Sequence, residues 1–212
     1  MQLKVFYFNE LRVCTYVLWD ETKECIIVDP GCESASEQQR LQEFIANNQL
    51  KPVMVVNTHA HFDHVLGNLF VVKTYSVPSA VHEGDTQLLA RVAQQSAMFG
   101  FAVAQPPMPS RLLTEEEPVR FGHSQLQVLH TPGHSPGGIC LYAAEDKFLL
   151  SGDTLFQESI GRTDLSGGNY EQLINSIRHK LMTLPDDVKV FPGHGPATSI
   201  GEEKRNNPFI AC

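Results

Sequence analysis

Hydrophobic and polar positions along this chain repeat with two different periods. Residues 2–8, 12–19 and 25–28 are rich in β-branched and aromatic side chains, and Asp29-Pro30-Gly31 closes the last run, so three strands are predicted here. Ser34-Ala35-Ser36-Glu37 has the spacing of a capping box. Leu41, Phe44 and Ile45 then recur at helical intervals before Leu50. The apolar run 52–57 reads as a buried strand. A helix over about 65–74, a strand at 79–82 and a helix from about Asp85, marked by Leu88, Leu89, Val92 and Ala93, come next. The proline-punctuated stretch 100–110 reads as irregular, and strands return at 126–129, 139–143, 148–150 and 188–191. Between the last two, Tyr170, Leu173, Ile174, Ile177 and Leu181 form one face of a helix over 170–182. Strands, a helical stretch, more strands and a last helix predict an α/β fold of two packed sheets with helices outside, without linker or short repeat.

Composition narrows the function classes. The 212 residues are 42% hydrophobic and 19% charged, which fits one ordered domain. Sixteen Lys and Arg against 24 Asp and Glu leave a net charge of −8, and the longest basic cluster is Lys204-Arg205. Nucleic-acid binding through phosphate contacts is therefore not expected. Neither is a membrane span, since no apolar run approaches about 18–20 residues. The start lacks a basic segment followed by a long apolar one, so no secretory signal is expected. Five cysteines (14, 25, 32, 140 and 212), without a CxxC pair, predict reduced thiols in a cytoplasmic protein.

Chemistry concentrates in the nine histidines, three of which fall in His59-Ala60-His61-Phe62-Asp63-His64 just after the apolar run 52–57. In an extended segment residues two apart share a face, so His59 and His61 can converge on one cation while the following turn brings Asp63 and His64 to a second point. Imidazole and carboxylate donors suit zinc, and also iron or manganese. Three further apolar strands end in candidate donors: His134 in HTPGHSPGG, Asp153 in SGDT and His194 in PGHGP. Pro132-Gly133 supplies a turn that presents His134, and the glycines around His194 permit close backbone approach. His82, His123, His130 and His179 lie outside this pattern and are expected at the surface or core edge.

These strings resemble the metallo-β-lactamase superfamily in its glyoxalase II-like, or hydroxyacylglutathione hydrolase, branch. The resemblance runs from IIVDPG (26–31) through THAHFDH (58–64), TPGHSPGG (131–138), SGDTLF (151–156), GRTD (161–164) and PGHGP (192–196) to NPF (207–209). It implies an αββα four-layer sandwich, a single domain over 1–212, and two divalent cations, zinc first with iron or manganese as alternatives. One cation would take His59, His61 and His134, and the other Asp63, His64 and His194. Asp153 would bridge them, Asp63 and Asp153 would carry the catalytic role, and Asp29 would orient a ligand from behind. The implied reaction is hydrolysis of an S-2-hydroxyacylglutathione to a 2-hydroxy acid and glutathione by a metal-bound hydroxide. Thiolate departure suits a site with no spare acid, because a thiol near pKa ~8.5 needs little protonation to leave.

Arg162 stands where longer glyoxalase II enzymes have a glutathione-binding lysine, and Asp164 where they have a tyrosine. The resemblance therefore makes Arg162 a substrate-binding candidate. Those enzymes also continue past NPF into a helical segment that this sequence lacks. A small anionic thioester is the expected partner, with oligomeric state undetermined. The alternatives are an iron-dependent persulfide dioxygenase, against which His194 argues, and an ester or lactone hydrolase. β-Lactam hydrolysis is disfavoured because the family's β-lactamases typically carry cysteine at the position of Asp153. Phe99, Phe101 and Met108 of the 100–110 region are candidates to cover a substrate channel.

Overall fold

The computed structural model describes residues 1–210, so Cys212 among the expected thiols lies outside the described residues. The first sheet contains β1 (Gln2–Phe8), β2 (Val13–Trp19), β3 (Glu24–Val28), β4 (Lys51–Val56), β5 (Ser79–His82) and β6 (Arg111–Leu113), hydrogen-bonded in that order. The first three pair antiparallel and the last three add in parallel. β7 (Val119–Phe121), β8 (Ser124–His130), β9 (Ile139–Ala143) and β10 (Phe148–Gly152) begin the second sheet. The chain then makes a separate hairpin, β11 (Leu155–Phe156) with β12 (Ser159–Ile160), before β13 (Lys189–Pro192) and β14 (Thr198–Ser199) return to it. Its order is β14-β13-β10-β9-β8-β7, with β10 and β13 parallel.

Every residue of β2 is buried, and a strand buried on both faces explains the four layers. Cys14, Tyr16 and Leu18 point between the sheets, where they meet Leu126, Val128, Leu141 and Leu150 of the second sheet. Val17 and Trp19 point outward under α1 (Ala35–Asn47) and α2 (Asn68–Tyr75), against Leu41, Ile45 and Val71. The outer face of the second sheet is covered in the same way by Leu173, Ile177, Leu181 and Ile200. Those residues come from α5 (Tyr170–Ser176), the turn that continues it, and α6 (Ile200–Asn206). The result is the expected αββα sandwich of two mixed sheets.

Several elements differ from expectation. The first helix begins as the capping box predicts, with Ser34 Oγ accepting the Glu37 N–H and Glu37 reaching back to Ser34 N–H. The second starts later, at Asn68, because Phe62–His64 forms a 3-10 turn and Gly67 packs against Pro30 and Cys32, where a Cβ would collide. The stretch from Asp85 is split into α3 (Thr86–Leu89) and α4 (Val92–Met98). The helix over 170–182 relaxes into a π-turn at Ile177–Leu181, which keeps Ile177 and Leu181 in the core, while Tyr170 is exposed. β6, β7, the β11–β12 hairpin, β14 and α6 were not expected. The short strands lack a period long enough to read. α6 has a legible signal in Ser199-Ile200-Gly201-Glu202, where Ser199 Oγ accepts the Glu202 N–H. Cys14, Cys25, Cys32 and Cys140 are buried and unpaired, and no described helix is long and apolar enough to cross a membrane.

Candidate metal centre

Strand direction gathers the candidate residues. β3 and β4 are parallel and in register to Val28 and Val56, so Asp29 and Thr58-His59 leave the first sheet side by side. β10 and β13 are parallel with Gly152 opposite Pro192, so Asp153 and His194 leave the second sheet together. β8 is antiparallel to β9, which is antiparallel to β10, so the loop with His134 emerges at the same edge. Backbone hydrogen bonds from Cys14 N–H to Gly193 O (2.7 Å) and from Ile139 N–H to Thr58 O (2.9 Å) clamp the sheets there. Gly133 turns with a φ of +134°, and Leu173 occupies the space a Cβ would need. At Gly193 a Cβ would strike the Asp153 carboxylate and the His64 ring. This glycine therefore makes room for two donors.

His59, His61, Asp63, His64, His134, Asp153 and His194 all meet at this edge. Two groups have donor atoms within 4.8 Å of one another: His59, His61 and His134, and Asp63, His64 and His194. Asp153 lies between them, with Oδ1 3.5 Å from His64 Nε2 and Oδ2 3.6 Å from His134 Nε2 and 3.7 Å from His194 Nε2. A third group, Asp29, His59 and His64, has the spacing of a cation site as well. Its carboxylate is already engaged. Asp29 accepts the Thr58 N–H at 2.7 Å, the Thr58 hydroxyl at 2.5 Å and His64 Nδ1–H at 3.1 Å.

Outer hydrogen bonds decide which nitrogen of His59, His64, His134 and His194 faces inward, whereas His61 turns Nδ1 onto His134 Nε2 at 2.8 Å. His134 Nδ1 donates to the Arg162 carbonyl (2.8 Å) and His194 Nδ1 to the Leu11 carbonyl (3.0 Å), so each Nε2 presents a lone pair. His59 Nδ1 lies 3.2 Å from Thr58 Oγ1, whose own proton goes to Asp29, so His59 Nδ1 is the donor and Nε2 again faces inward. The Nε2 atoms of His59 and His134 then face each other at 3.3 Å, and those of His64 and His194 at 3.2 Å. Opposed lone pairs repel unless positive charge, a proton or a metal cation, lies between them. With a zinc–nitrogen bond of about 2.0–2.1 Å, two ligands of a tetrahedral ion stand about 3.3 Å apart. Asp153 Oδ1 is buried and has no hydrogen-bond partner among the described residues. The donor set fits divalent cations on both counts.

The two halves differ electrically. Burial, reinforced by His134, holds His61 down to about 3, and burial with His64 and His61 holds His59 well below the ordinary histidine value. These rings are neutral donors. Around His64 burial pulls the same way but is outweighed by Asp63, Asp153 and Asp29, which raise its pKa well above the ordinary histidine value. His194 is also raised: burial pulls it down, but the bond to Asp63 together with the charges of Asp153 and Asp63 outweighs it. Asp63 and Asp153 stay ionised despite burial, chiefly through His64.

A buried carboxylate not anticipated from sequence holds two of the loops together. Asp85 accepts the Ala60 N–H (2.8 Å), the Ser135 hydroxyl (2.8 Å) and the Gly137 N–H (2.6 Å), tying the His59–His61 segment to the loop that carries His134. Nothing in the local pattern marks it, because its partners are distant in sequence. Of the other histidines, His82 and His130 stack on each other (3.9 Å) and His123 pairs with Glu21 at the surface.

The centre opens into a cavity of about 710 Å³ that includes His61, Asp63, His134, Asp153 and His194. Arg162 lines it, with its guanidinium forked onto Asp164 at 2.8 and 2.7 Å. Phe99 and Phe101 line it together with Met98, whereas Met108 is exposed and is not part of the wall.

The sequence profile of the metallo-beta-lactamase superfamily matches residues 9–194, a span that contains every one of these donors. The chain belongs to the metallo-beta-lactamase superfamily. Members of the superfamily are hydrolases that use divalent metals. The chain is 39% identical over 212 residues to the hydroxyacylglutathione hydrolase GloC of Haemophilus influenzae, covering 99% of this chain and 98% of that protein. Among solved structures, BLEG-1 B3 metallo-beta-lactamase superposes with a TM-score of 0.91 at 37% identity, covering 100% of both chains. TTHA1623 in a di-iron-bound form superposes at 0.89 with 35% identity, covering 98% of this chain and 100% of that one.

Proposed function

We propose that this superfamily member is a metal-dependent thioester hydrolase that cleaves an S-2-hydroxyacylglutathione to a 2-hydroxy acid and glutathione. In this reading one catalytic domain spans the chain, in a cytoplasmic setting where glutathione is abundant. The observation that carries it is the convergence of inward-facing imidazole nitrogens around the Asp153 carboxylate, at the floor of an open cavity. The full-length identity to GloC supports the substrate class.

His59, His61 and His134 would hold one cation and Asp63, His64 and His194 the other, with Asp153 shared between them. Bound there, divalent cations, zinc foremost and iron by the analogy of TTHA1623, would bring the pKa of water down to about 7 and polarise a carbonyl oxygen. The protein's own part is orientation. Asp29 fixes His64 directly and His59 through Thr58, while the Arg162 and Leu11 carbonyls fix His134 and His194. Such outer partners set ring tautomer and direction. Arg162 would meet the anionic glutathione with the guanidinium nitrogen that Asp164 leaves unengaged. The other polar side chains lining the cavity, Gln95, Ser159 and Ser166, are poor acids, which suits a leaving group that departs as a thiolate.

The test is S-lactoylglutathione hydrolysis by metal-quantified protein beside Asp153→Ala. Hydrolysis should fall at least about 10³-fold in the variant while the circular dichroism of the fold is retained. A second reading, β-lactam hydrolysis, rests on the similarity to BLEG-1, so a chromogenic cephalosporin belongs in the same assay. Turnover of the cephalosporin alone would overturn the thioester reading, as would one iron per chain with oxygen uptake on glutathione persulfide.

A further inference from the structure

The cavity above the donor cluster has one wholly apolar wall and one that mixes polar with apolar side chains. The first is aromatic. Phe62, held in the core by Val65, Val81, Leu89 and Val92, stacks on Phe99 (5.7 Å between centroids, 21° between planes) and tilts against Phe101 at 5.2 Å. Met98 extends this wall and is 80% exposed, while Phe99 is 52% exposed. The wall is braced from behind: Phe101 N–H donates to Ser96 O at 2.9 Å, and Gln105 Nε2 donates to Leu89 O at 2.6 Å. The other wall is the 159–166 segment, which offers Ser159, Ser166 and the Arg162–Asp164 pair between the apolar side chains of Ile160 and Leu165.

A glutathione thioester presents two arms of unlike character to these walls. The tripeptide carries two carboxylates and an ammonium, and stripping their water against phenyl rings is costly. Ser159, Ser166 and Arg162 give it polar partners. The aromatic wall is then left for the acyl group, and exposed apolar side chains beside a polar centre gain most from an apolar ligand that covers them.

We infer that the Phe62–Phe99–Phe101 wall binds the acyl portion of the substrate and makes the enzyme select thioesters with a bulky apolar, aromatic-sized acyl substituent over the small lactoyl group. The identity of the thiol arm rests on the thioester hydrolase reading above; the apolar preference rests on the wall itself. Exchanging methyl for phenyl at that arm should improve binding about tenfold to thirtyfold, the return on covering most of one ring.

The test separates binding from turnover. The full chain is titrated calorimetrically with S-methylglutathione and S-benzylglutathione, which cannot be hydrolysed. S-benzylglutathione should bind at least about tenfold tighter, and Phe99→Ala should reduce that ratio to about threefold or less, with Phe99→Leu intermediate. Equal affinities, no detectable binding of either compound, or a ratio unchanged by Phe99→Ala would overturn the inference. In parallel, kcat/KM for S-mandeloylglutathione should exceed that for S-lactoylglutathione by a similar factor. A benzyl preference that depends on Phe99, without hydrolysis of either thioester, would refute the hydrolase reading and leave the wall assignment standing. Equal kcat/KM for the two thioesters would refute the wall assignment alone.

Discussion

The most incisive perturbation is Asp29→Asn, because it changes one atom type behind the centre and leaves every inward-facing donor in place. Asp29 has a φ of +48°, a left-handed conformation that asparagine adopts as readily, so the backbone is not disturbed. Oδ1 accepts the Thr58 N–H, and the new amide oxygen keeps that bond. Oδ2 accepts from both the Thr58 hydroxyl and His64 Nδ1–H, and there the amide nitrogen is a donor facing donors. The Thr58 hydroxyl can rotate. The His64 ring can relieve the clash only by exchanging tautomer, accepting at Nδ1 and carrying its proton on Nε2, the atom that faces Asp63, Asp153 and His194. One inward lone pair is lost from one half of the centre.

Loss of an outer partner of this kind costs about 10–100-fold in metal affinity, or about 1.4–2.7 kcal/mol. Replacing the charge-assisted bond adds roughly 1–2 kcal/mol of lost fold stability, which for a chain of this size lowers Tm by about 2–8 °C. The assay is zinc competition against a chromophoric chelator, with imidazole nitrogen shifts read by NMR to identify the tautomer. One metal equivalent should weaken and the other should change little. A variant that keeps two equivalents at parental affinity, with His64 still protonated at Nδ1, would refute the orienting role.

Other outcomes follow from the same structure. Asp85→Ala strands the Ala60 and Gly137 N–H groups and the Ser135 hydroxyl, so it should cost about 3–5 kcal/mol in chemical denaturation. A loss below about 1 kcal/mol would show that the two loops are held by other contacts. Arg162→Ala removes an exposed pair with Asp164, so Tm should hold within about 1 °C while KM for a glutathione thioester rises more than kcat falls. An unchanged KM would remove Arg162 from the substrate site. Asp20 is buried, which would raise its pKa, but hydrogen bonds from Thr22, His123 and Ser124 outweigh this and lower it to about 2. A carboxylate depressed in the folded state stabilises above its unfolded pKa of ~3.9 and ceases to do so as pH falls toward the folded value. The stability gap between the parent and Asp20→Asn should therefore be full at pH 6 and shrink between about pH 4 and 2; a gap constant across that range would contradict the assignment.

What could be read along the chain was whatever depends on near neighbours in sequence. The two periods located most long elements, since alternation in strands and the stripe of Leu173, Ile177 and Leu181 reflect which faces must leave water. The donor residues could be named because each sits in a turn directly after an apolar strand, a local signature. Tertiary structure decided what depends on strand register and on partners far away. Parallel pairing of β3 with β4 and β10 with β13 brings the strand ends to one edge, and only then do His59, His64, His134 and His194 acquire their outer partners. Asp85 is invisible in sequence because its partners lie 25, 50 and 52 residues away. Met98, at the end of α4, lines the cavity and Met108 does not, and Arg162 faces the cavity already paired with Asp164. Periodicity reports burial, which each residue negotiates with solvent alone; a centre made of opposed lone pairs exists only where separate strands have been brought together.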